Sequence, residues 1–388
     1  MEIIEKTLSE ENIKDLKRFL SKYWRKDHPI VKSEKLLRWQ YTGFGAKKGY
    51  DLFQLFYDDD KLVGIRGVIP QEMQIPNKDG EYEYATMGAC AMWMVDPILR
   101  KQGKFGVGQK MHRNVEFGFG NILAIGANLN TSSPIFRRNG YFEKEALNRY
   151  IIPLSDEYNK MLISSVESAE IKHWIKDTRV FDKEYINMLE NCNFEELEDI
   201  WIQSTNGQNI LSVFRSKEFW KWRYGNSPYF TYRIFGGKDE GGIVVVRIEE
   251  AIKDIDSRDS TRVLRLIDLV PFKTEVWSGK TDPEFELLIE NSLLWGKKNN
   301  CVAADFHCST SRLEHVLFNI GFKRQFIENN DKLCGMSGLF QPITNSTYAF
   351  NCFLRLDEKF IYARNNFDYE NTYIVRADSD QDRPNIIL

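Results

Sequence analysis

Between Val95 and Gly108 the chain reads Val-Asp-Pro-Ile-Leu-Arg-Lys-Gln-Gly-Lys-Phe-Gly-Val-Gly, so Gly103, Gly106 and Gly108 lie among the cations Arg100, Lys101 and Lys104. Glycine lets a backbone approach a ligand closely, and successive amides at a helix N-terminus make a concave anion site. The chemistry this suits is the retention of a pyrophosphate group. Two other phosphate-binding designs fail on spacing. A dinucleotide turn needs Gly-x-Gly-x-x-Gly with an acidic residue about twenty positions on, and a nucleotide-hydrolysing loop needs Gly-Lys followed by Ser or Thr. Here Gly103-Lys104 is followed by Phe105.

The elements that must hold this loop are legible on either side. Met87 to Val95 is an apolar run without alternation, as expected for a strand buried on both faces, and Asp96-Pro97 ends it. Val107, Met111 and Val115 recur at spacing four, which predicts a helix after the loop. Ile122 to Ala127 reads as a second buried strand. Ser133-Pro134 opens a short helix that Asn139-Gly140 stops, and Tyr150 to Leu154 closes the series as a strand. Upstream, Ser9 is placed to cap a helix carrying Ile13, Leu16, Leu20 and Tyr23, and Ser33 to cap another ending near Tyr41. Leu52 to Phe56 and Leu62 to Ile69 read as strands joined by the turn Asp58-Asp59-Asp60.

The series occurs twice. Ser33 to Tyr41 (Ser-Glu-Lys-Leu-Leu-Arg-Trp-Gln-Tyr) recurs as Ser216 to Tyr224 (Ser-Lys-Glu-Phe-Trp-Lys-Trp-Arg-Tyr), an offset of 183 from Trp39 to Trp222. Gly140-Tyr141 recurs as Gly321-Phe322, an offset of 181. Two distant landmarks that keep nearly one offset indicate one architecture used twice. The expected division is a domain over 1–155, a polar connector over 156–182 and a second domain over 183–388, in which Ser311-x-x-Glu314 is a capping box.

Composition excludes several classes. Lys plus Arg is 53 and Asp plus Glu is 56, a formal charge of −3, which supplies no broad cationic field for nucleic acid. The longest apolar run, Ala89 to Val95, is far short of the ~20 residues of a membrane span. The charged N-terminus lacks the apolar core of a signal peptide, so a cytoplasmic location is expected. Six cysteines without a Cys-x-x-Cys pair read as buried free thiols rather than disulfides or a metal site. Asp378-x-Asp380-x-Asp382 begins like a calcium loop but lacks its glycine and terminal glutamate, and is expected to be a solvated tail; the adjacent Arg383 is placed to meet a phosphate.

The order strand, Pro97-x-x-Arg100-x-x-Gly103-x-x-Gly106, helix, strand, short helix, Gly140-Tyr141 resembles the core of the GNAT acyltransferase superfamily. The resemblance covers the core of residues 1–155 and, more weakly, the second copy. It implies an α/β fold (α+β, mixed sheets) of two tandem GNAT-like domains, the second degenerate because it lacks an Arg-x-x-Gly loop between Val270 and Trp295. It further implies an acyl-coenzyme A co-substrate and no metal. The pyrophosphate would lie on the amides of Gln102, Gly103, Lys104, Phe105 and Gly106, beside Arg100 and Lys101, with the pantetheine arm along Trp93, Met94 and Val95 and near Asn128. Phe105 departs from the family's final small residue. Phe136 stands where the family often has the tyrosine that protonates the leaving thiolate, so that acid is missing.

The expected reaction is direct attack of an amine on the thioester, with a backbone amide near Trp93 or Met94 stabilising the oxyanion. The tandem arrangement resembles enzymes of surface-polysaccharide (lipopolysaccharide, O-antigen) pathways that acylate a nucleotide-linked amino sugar, so a small-molecule acceptor is expected, with no nucleic acid and no membrane as partner. Alternatives are an aminoacyl-tRNA-dependent transferase of the peptidoglycan-bridge type and a non-catalytic coenzyme A-binding module. His307 and Glu72 are acid-base candidates, and His28 and Arg383 are acceptor-binding candidates. Trp39, Tyr41 and Tyr224 either stack on the acceptor or, because the pair recurs in both copies, hold each fold together.

Overall fold

The computed structural model describes residues 3–43, 53–180, 183–188, 190–254, 260–325 and 331–387. The first half runs β1 (Ile3–Thr7), α1 (Ile13–Tyr23), α2 (Pro29–Lys32), α3 (Glu34–Arg38), β2 (Phe53–Asp58), β3 (Lys61–Pro76), β4 (Tyr82–Val95), α4 (Ile98–Lys101), α5 (Val107–Phe119), β5 (Asn121–Ile125), α6 (Ser133–Arg138), β6 (Phe142–Lys144) and β7 (Asn148–Pro153). The second repeats the order: α7 (Ser168–Asp177), α8 (Phe194–Thr205), β8 (Leu211–Val213), α9 (Lys217–Trp220), β9 (Arg233–Gly237), β10 (Gly242–Ile252), β11 (Ser260–Pro271), α10 (Pro283–Lys298), β12 (Cys301–Cys308), α11 (Glu314–Ile320), β13 (Lys323–Gln325), β14 (Cys352–Arg355), α12 (Ile361–Asn365) and β15 (Thr372–Tyr373). Among the described residues no helix is long and apolar enough to cross a membrane.

Both repeats of the aromatic helix end in a π-helical turn, Trp39–Gly43 and Lys221–Gly225, preceded by a serine cap: Ser33 Oγ accepts from the Leu36 amide and Ser216 Oγ from that of Phe219. Elsewhere local expectations needed correction. Ser9 does not cap α1; Asn12 holds that position, its side chain turned back to accept from the Ser9 amide. The capping box at Ser311 is not formed, because the Glu370 carboxylate takes both the amide and the hydroxyl of Ser311.

Two mixed sheets result, ordered β1-β2-β3-β4-β5-β14-β6, with β8 on β3 and β15 beside β8, and β13-β7-β12-β11-β10-β9. Each contains a strand from the other half of the chain. β14 lies antiparallel between β5 and β6, and β7 antiparallel between β12 and β13. The strand read from sequence as closing the first copy therefore sits inside the second sheet. A short apolar segment such as Tyr150-Ile-Ile has no signal that names its partner, since any edge that offers hydrogen bonds satisfies it. One core joins the halves, from Leu16, Leu20 and Tyr41 to Trp201, Trp220 and Trp277.

The polar stretch read as a connector is also folded: Ile171, Trp174 and Ile175 of α7 are buried, and Trp174 Nε1 donates to the Gly321 carbonyl at 2.9 Å. The acidic tail is not solvated. Asp378, Asp380 and Asp382 are 0%, 4% and 1% exposed. Asp378 pairs with Arg215 at 2.7 Å, Asp382 with Arg247 at 2.7 Å, and Arg223 donates to the carbonyls of Ser379 and Asp382. Arg215, Arg223 and Arg247 are themselves buried, and a buried charge persists only when paired and hydrogen-bonded. Charge pattern alone cannot show a partner more than a hundred residues away.

Candidate active site

β4 is the axis of the site. It pairs with the parallel β5 only from Met87↔Asn121 to Cys90↔Ala124, then continues to Val95 while β5 ends at Ile125. The strands part after Cys90. A register shift on the other edge, where Arg66 opposes Trp93 but Val68 opposes Cys90, places a bulge at Ala91-Met92 beside the fork. Bulges re-aim the strand that follows them.

The parity of β4 beyond the bulge decides which amides face the opening. The Asp96 amide bonds to the Val63 carbonyl at 2.7 Å, so Asp96 and Met94 are turned toward β3 and the intervening Val95 and Trp93 away from it. The N–H and C=O of Trp93 and Val95 thus face the fork, whereas the Met94 amide is spent on β3. Of the two amides considered for an oxyanion, Trp93 has the one in place.

The loop after β4 is pinned at its base by Asp96, whose carboxylate accepts from the Ile98 amide (2.9 Å) and the Tyr23 hydroxyl and pairs with Lys61 (3.0 Å). Burial pushes this carboxyl up, but those hydrogen bonds and the Lys61 charge outweigh it and hold the group below its ordinary value. The amides of Gln102, Gly103, Lys104 and Phe105 bond back to the carbonyls of Ile98, Arg100, Leu99 and Gly103. Among the described residues, those left open are Gly106 and the first turn of α5, Val107, Gly108 and Gln109, which have no intrahelical acceptor; the first helical bond runs from Lys110 N to Gly106 O. Gly106, at φ +81°, is the left-handed residue that turns this helix end into the loop. Of the loop amides that the family resemblance indicated, those of Gln102 to Phe105 are bonded within the loop and that of Gly106 stays open beside the first turn of α5. Arg100 and Lys101 are exposed beside them, Phe105 is exposed, and Lys104 is drawn away into an ion pair with Asp58.

The floor under the fork is aromatic. Phe136 is buried against Phe353, His112 and Tyr141, at ring distances of 5.1, 5.0 and 5.0 Å, and Trp93 stacks on His112 at 5.0 Å. Glu116 takes the Tyr141 hydroxyl at 2.9 Å and lies 3.1 Å from His112 Nε2. Burial lowers the His112 pKa more than Glu116 raises it. Asn128 lies in the exposed turn after β5, its Oδ1 accepting from the amides of Asn130 and Thr131.

Opposite, the C-terminal tail reaches the fork. Gln381 Nε2 donates to the Ile125 carbonyl at the end of β5, and Gln71 Nε2 on β3 to the Asp378 carbonyl. Between these fastenings lies Asp380. Unlike its two neighbours it meets no buried arginine, only Arg383 at 3.5 Å and the Gln381 amide at 3.0 Å. Its charge reaches Cys90, Tyr41 and Tyr348, whose groups are pushed up by burial first and Asp380 second or later.

The remaining candidates are dispersed. Glu72 lies six residues beyond Arg66 on β3, roughly 20 Å from the fork at strand rise. His307 is buried in the second sheet beside Asp305, and burial drives it far below the ordinary histidine value. His28 caps α2, its Nδ1 accepting from the Ile30 amide, and burial with Arg383 and Arg25 lowers it to about 3. Trp39, Tyr41 and Tyr224 are fold elements. Trp39 is packed on Trp222, Tyr41 is fully buried, and the Tyr224 hydroxyl donates to Asp268 at 2.9 Å.

The second sheet repeats the fork and fills it. β11 and β12 pair from Arg262↔Cys301 to Leu266↔Phe306 and then part, next to a register shift on the β10 side. Residues 372–375 run through the gap. The Tyr373 hydroxyl accepts from the Leu269 amide and donates to Asp268 at 2.7 Å, and the Ser309 amide bonds to the Ile374 carbonyl at 2.8 Å. What stays open in the first copy is closed in the second by the chain itself.

No protein-family description and no curated protein sequence matches the chain. Solved structures do. A GCN5-related N-acetyltransferase from Kribbella flavida is 13% identical, with a TM-score of 0.51 over 93% of this chain and 73% of that one. An N-myristoyltransferase from Saccharomyces cerevisiae with bound myristoyl-CoA is 11% identical, with a TM-score of 0.53 over 91% and 78%. A probable N-acyltransferase from Enterococcus faecalis is 9% identical, with a TM-score of 0.51 over 92% and 73%. These matches, each over more than nine-tenths of the chain, show that it has the two-domain GNAT fold.

Proposed function

We propose that the protein transfers an acyl group from acyl-coenzyme A to the amino group of a nucleotide-linked amino sugar. The observation that carries the donor half is the fork: the backbone polar groups of Trp93 and Val95 face its open side, and Gly108, in the first turn of α5, is so close that a Cβ added there would lie 3.4 Å from Val95 and 3.5 Å from Trp93. An extended amide-bearing arm can pair with the strand while its pyrophosphate rests on the open amides of that turn. The myristoyl-CoA bound by the yeast neighbour supports the same donor class. For the acceptor half, Asp380 supplies a carboxylate with which an ammonium can pair and to which it can lose its proton. The amine then attacks the thioester carbonyl, the Trp93 amide faces the developing oxyanion, and the carbon–sulfur bond breaks. The tandem architecture supports a sugar acceptor by resemblance to nucleotide-sugar acyltransferases.

The test is to incubate the protein with acetyl- and longer acyl-coenzyme A donors and a panel of nucleotide-linked amino sugars, with glycyl peptides as a second panel, and to measure product mass. Acylated sugar nucleotide is the expected product. Acylated peptide alone would replace the sugar assignment, and no heat on titrating coenzyme A would remove the donor.

A further inference from the structure

The tyrosine acid expected for the departing thiolate is replaced by Phe136, and the nearby Tyr141 hydroxyl is committed to Glu116. A different group stands at the fork. Arg66, on β3 directly opposite Trp93, is 1% exposed. Its Nη2 contacts Cys90 Sγ and meets His112 Nδ1 at 3.3 Å, and its guanidinium lies 4.6 Å from the Trp93 ring centre. Among the described residues it has no carboxylate at ion-pair distance, and its buried Nε has no hydrogen-bond partner. Arg149, Arg215, Arg247 and Arg265 are each buried on at least one carboxylate, and Arg223, which has none, donates instead to the carbonyls of Ser379 and Asp382.

Magnitudes argue against a purely structural role. Removing a guanidinium from water without a counter-ion costs several kcal/mol, whereas stacking on one aromatic ring returns ~0.5–2 kcal/mol. Cys90 is the last β4 residue paired to β5, so the guanidinium that contacts it lies at the point where the strands part. At the position just ahead of the bulge in the filled second fork the residue is Val245. Two residues further along β10 lies the buried Arg247, which is paired with Asp382 and Glu249, whereas Arg66 has no such carboxylate among the described residues.

We infer that Arg66 is the electrostatic partner of the coenzyme A thiolate. This rests on the donor reading above and adds a residue to it. As the carbon–nitrogen bond forms and the carbon–sulfur bond breaks, the electron pair moves to sulfur, and the guanidinium donates hydrogen bonds to the resulting anion. No proton leaves Arg66. The thiolate departs charged and is protonated by solvent, and the amine's proton goes to Asp380.

The discriminating measurement is the acidity of the bound thiol. Coenzyme A bound to the protein is titrated by thiolate ultraviolet absorbance, with desulfo-coenzyme A as the blank that removes Cys90 and the other protein thiols. A nearby cation should raise the acid dissociation constant at least about tenfold over a free thiol of pKa ~8.5. Arg66→Gln should abolish that gain and Arg66→Lys restore part of it, with coenzyme A affinity retained in both. If Arg66→Gln does not fold, the wild-type titration decides alone. Tight binding with an ordinary thiol overturns this inference and leaves the donor reading standing; absence of binding overturns both.

Discussion

Trp39 and Trp222, 183 residues apart, donate their indole N–H groups to each other's main-chain carbonyl at 2.9 and 3.0 Å, with ring centres 5.3 Å apart and planes 24° from parallel. The contact is reciprocal, as across an axis relating two copies of one fold. It makes the repeated aromatic helix the joint between the halves. Trp39→Phe removes one hydrogen bond and leaves the Trp222 donor intact, so a loss of ~1 kcal/mol is expected, against ~3–5 kcal/mol for Trp39→Ala. Urea unfolding followed by circular dichroism measures both.

Exchange of β7 and β14 makes each sheet incomplete without the other half. Residues 1–155 and 183–388 expressed separately should each lack a cooperative unfolding transition, and mixing them should restore one. Two independent transitions from the isolated pieces would contradict the interlocked core.

Gly103 has φ +73°, and a Cβ built there meets nothing within 4 Å. Gly103→Glu therefore costs only the left-handed backbone, ~1–2 kcal/mol, while setting a negative charge beside the open amides of α5. Coenzyme A affinity should fall at least about tenfold by isothermal titration, with the thermal midpoint little changed.

Asp380→Asn keeps the shape of the side chain and removes its charge. Acyl transfer to the amine should fall by about 10²-fold or more, the order expected of a lost general base. Coenzyme A binding should be unchanged. Asp382→Asn, which breaks a buried pair with Arg247, should instead lower stability.

Acid should weaken the fold earlier than carboxylate titration alone would. His28, His112 and His307 are all held below the ordinary histidine value, first by burial. The unfolded chain therefore binds protons that the folded chain refuses, from pH 6.5 downward, and for His28 as far as about 3. The stability these rings contribute is complete above 6.5 and lost as pH falls, by up to ~1.4 kcal/mol per pH unit for each. Urea midpoints at pH 7.5 and 5.5 test this, and His28→Gln should flatten the dependence.

The loop between Val95 and Gly108, the strands that flank it and the repeat were all legible in the chain, because each depends on local spacing: glycines at left-handed positions, apolar residues at period four, a serine three residues before a helical amide. Arg66, Asp380 and the amides of α5 did not stand out. A single arginine in a strand and an aspartate in an acidic tail look like surface residues until their partners are known.

Local pattern therefore determined many of the elements and their order. Only the tertiary structure decided which sheet β7 and β14 joined, that the acidic tail crosses the interior to the first fork, and that residues 372–375 close the second. The physical reason is that hydrogen-bonding strand edges and buried charges are satisfied by any partner of the right geometry. Which partner arrives is settled by how the whole chain packs, not by the few residues on either side.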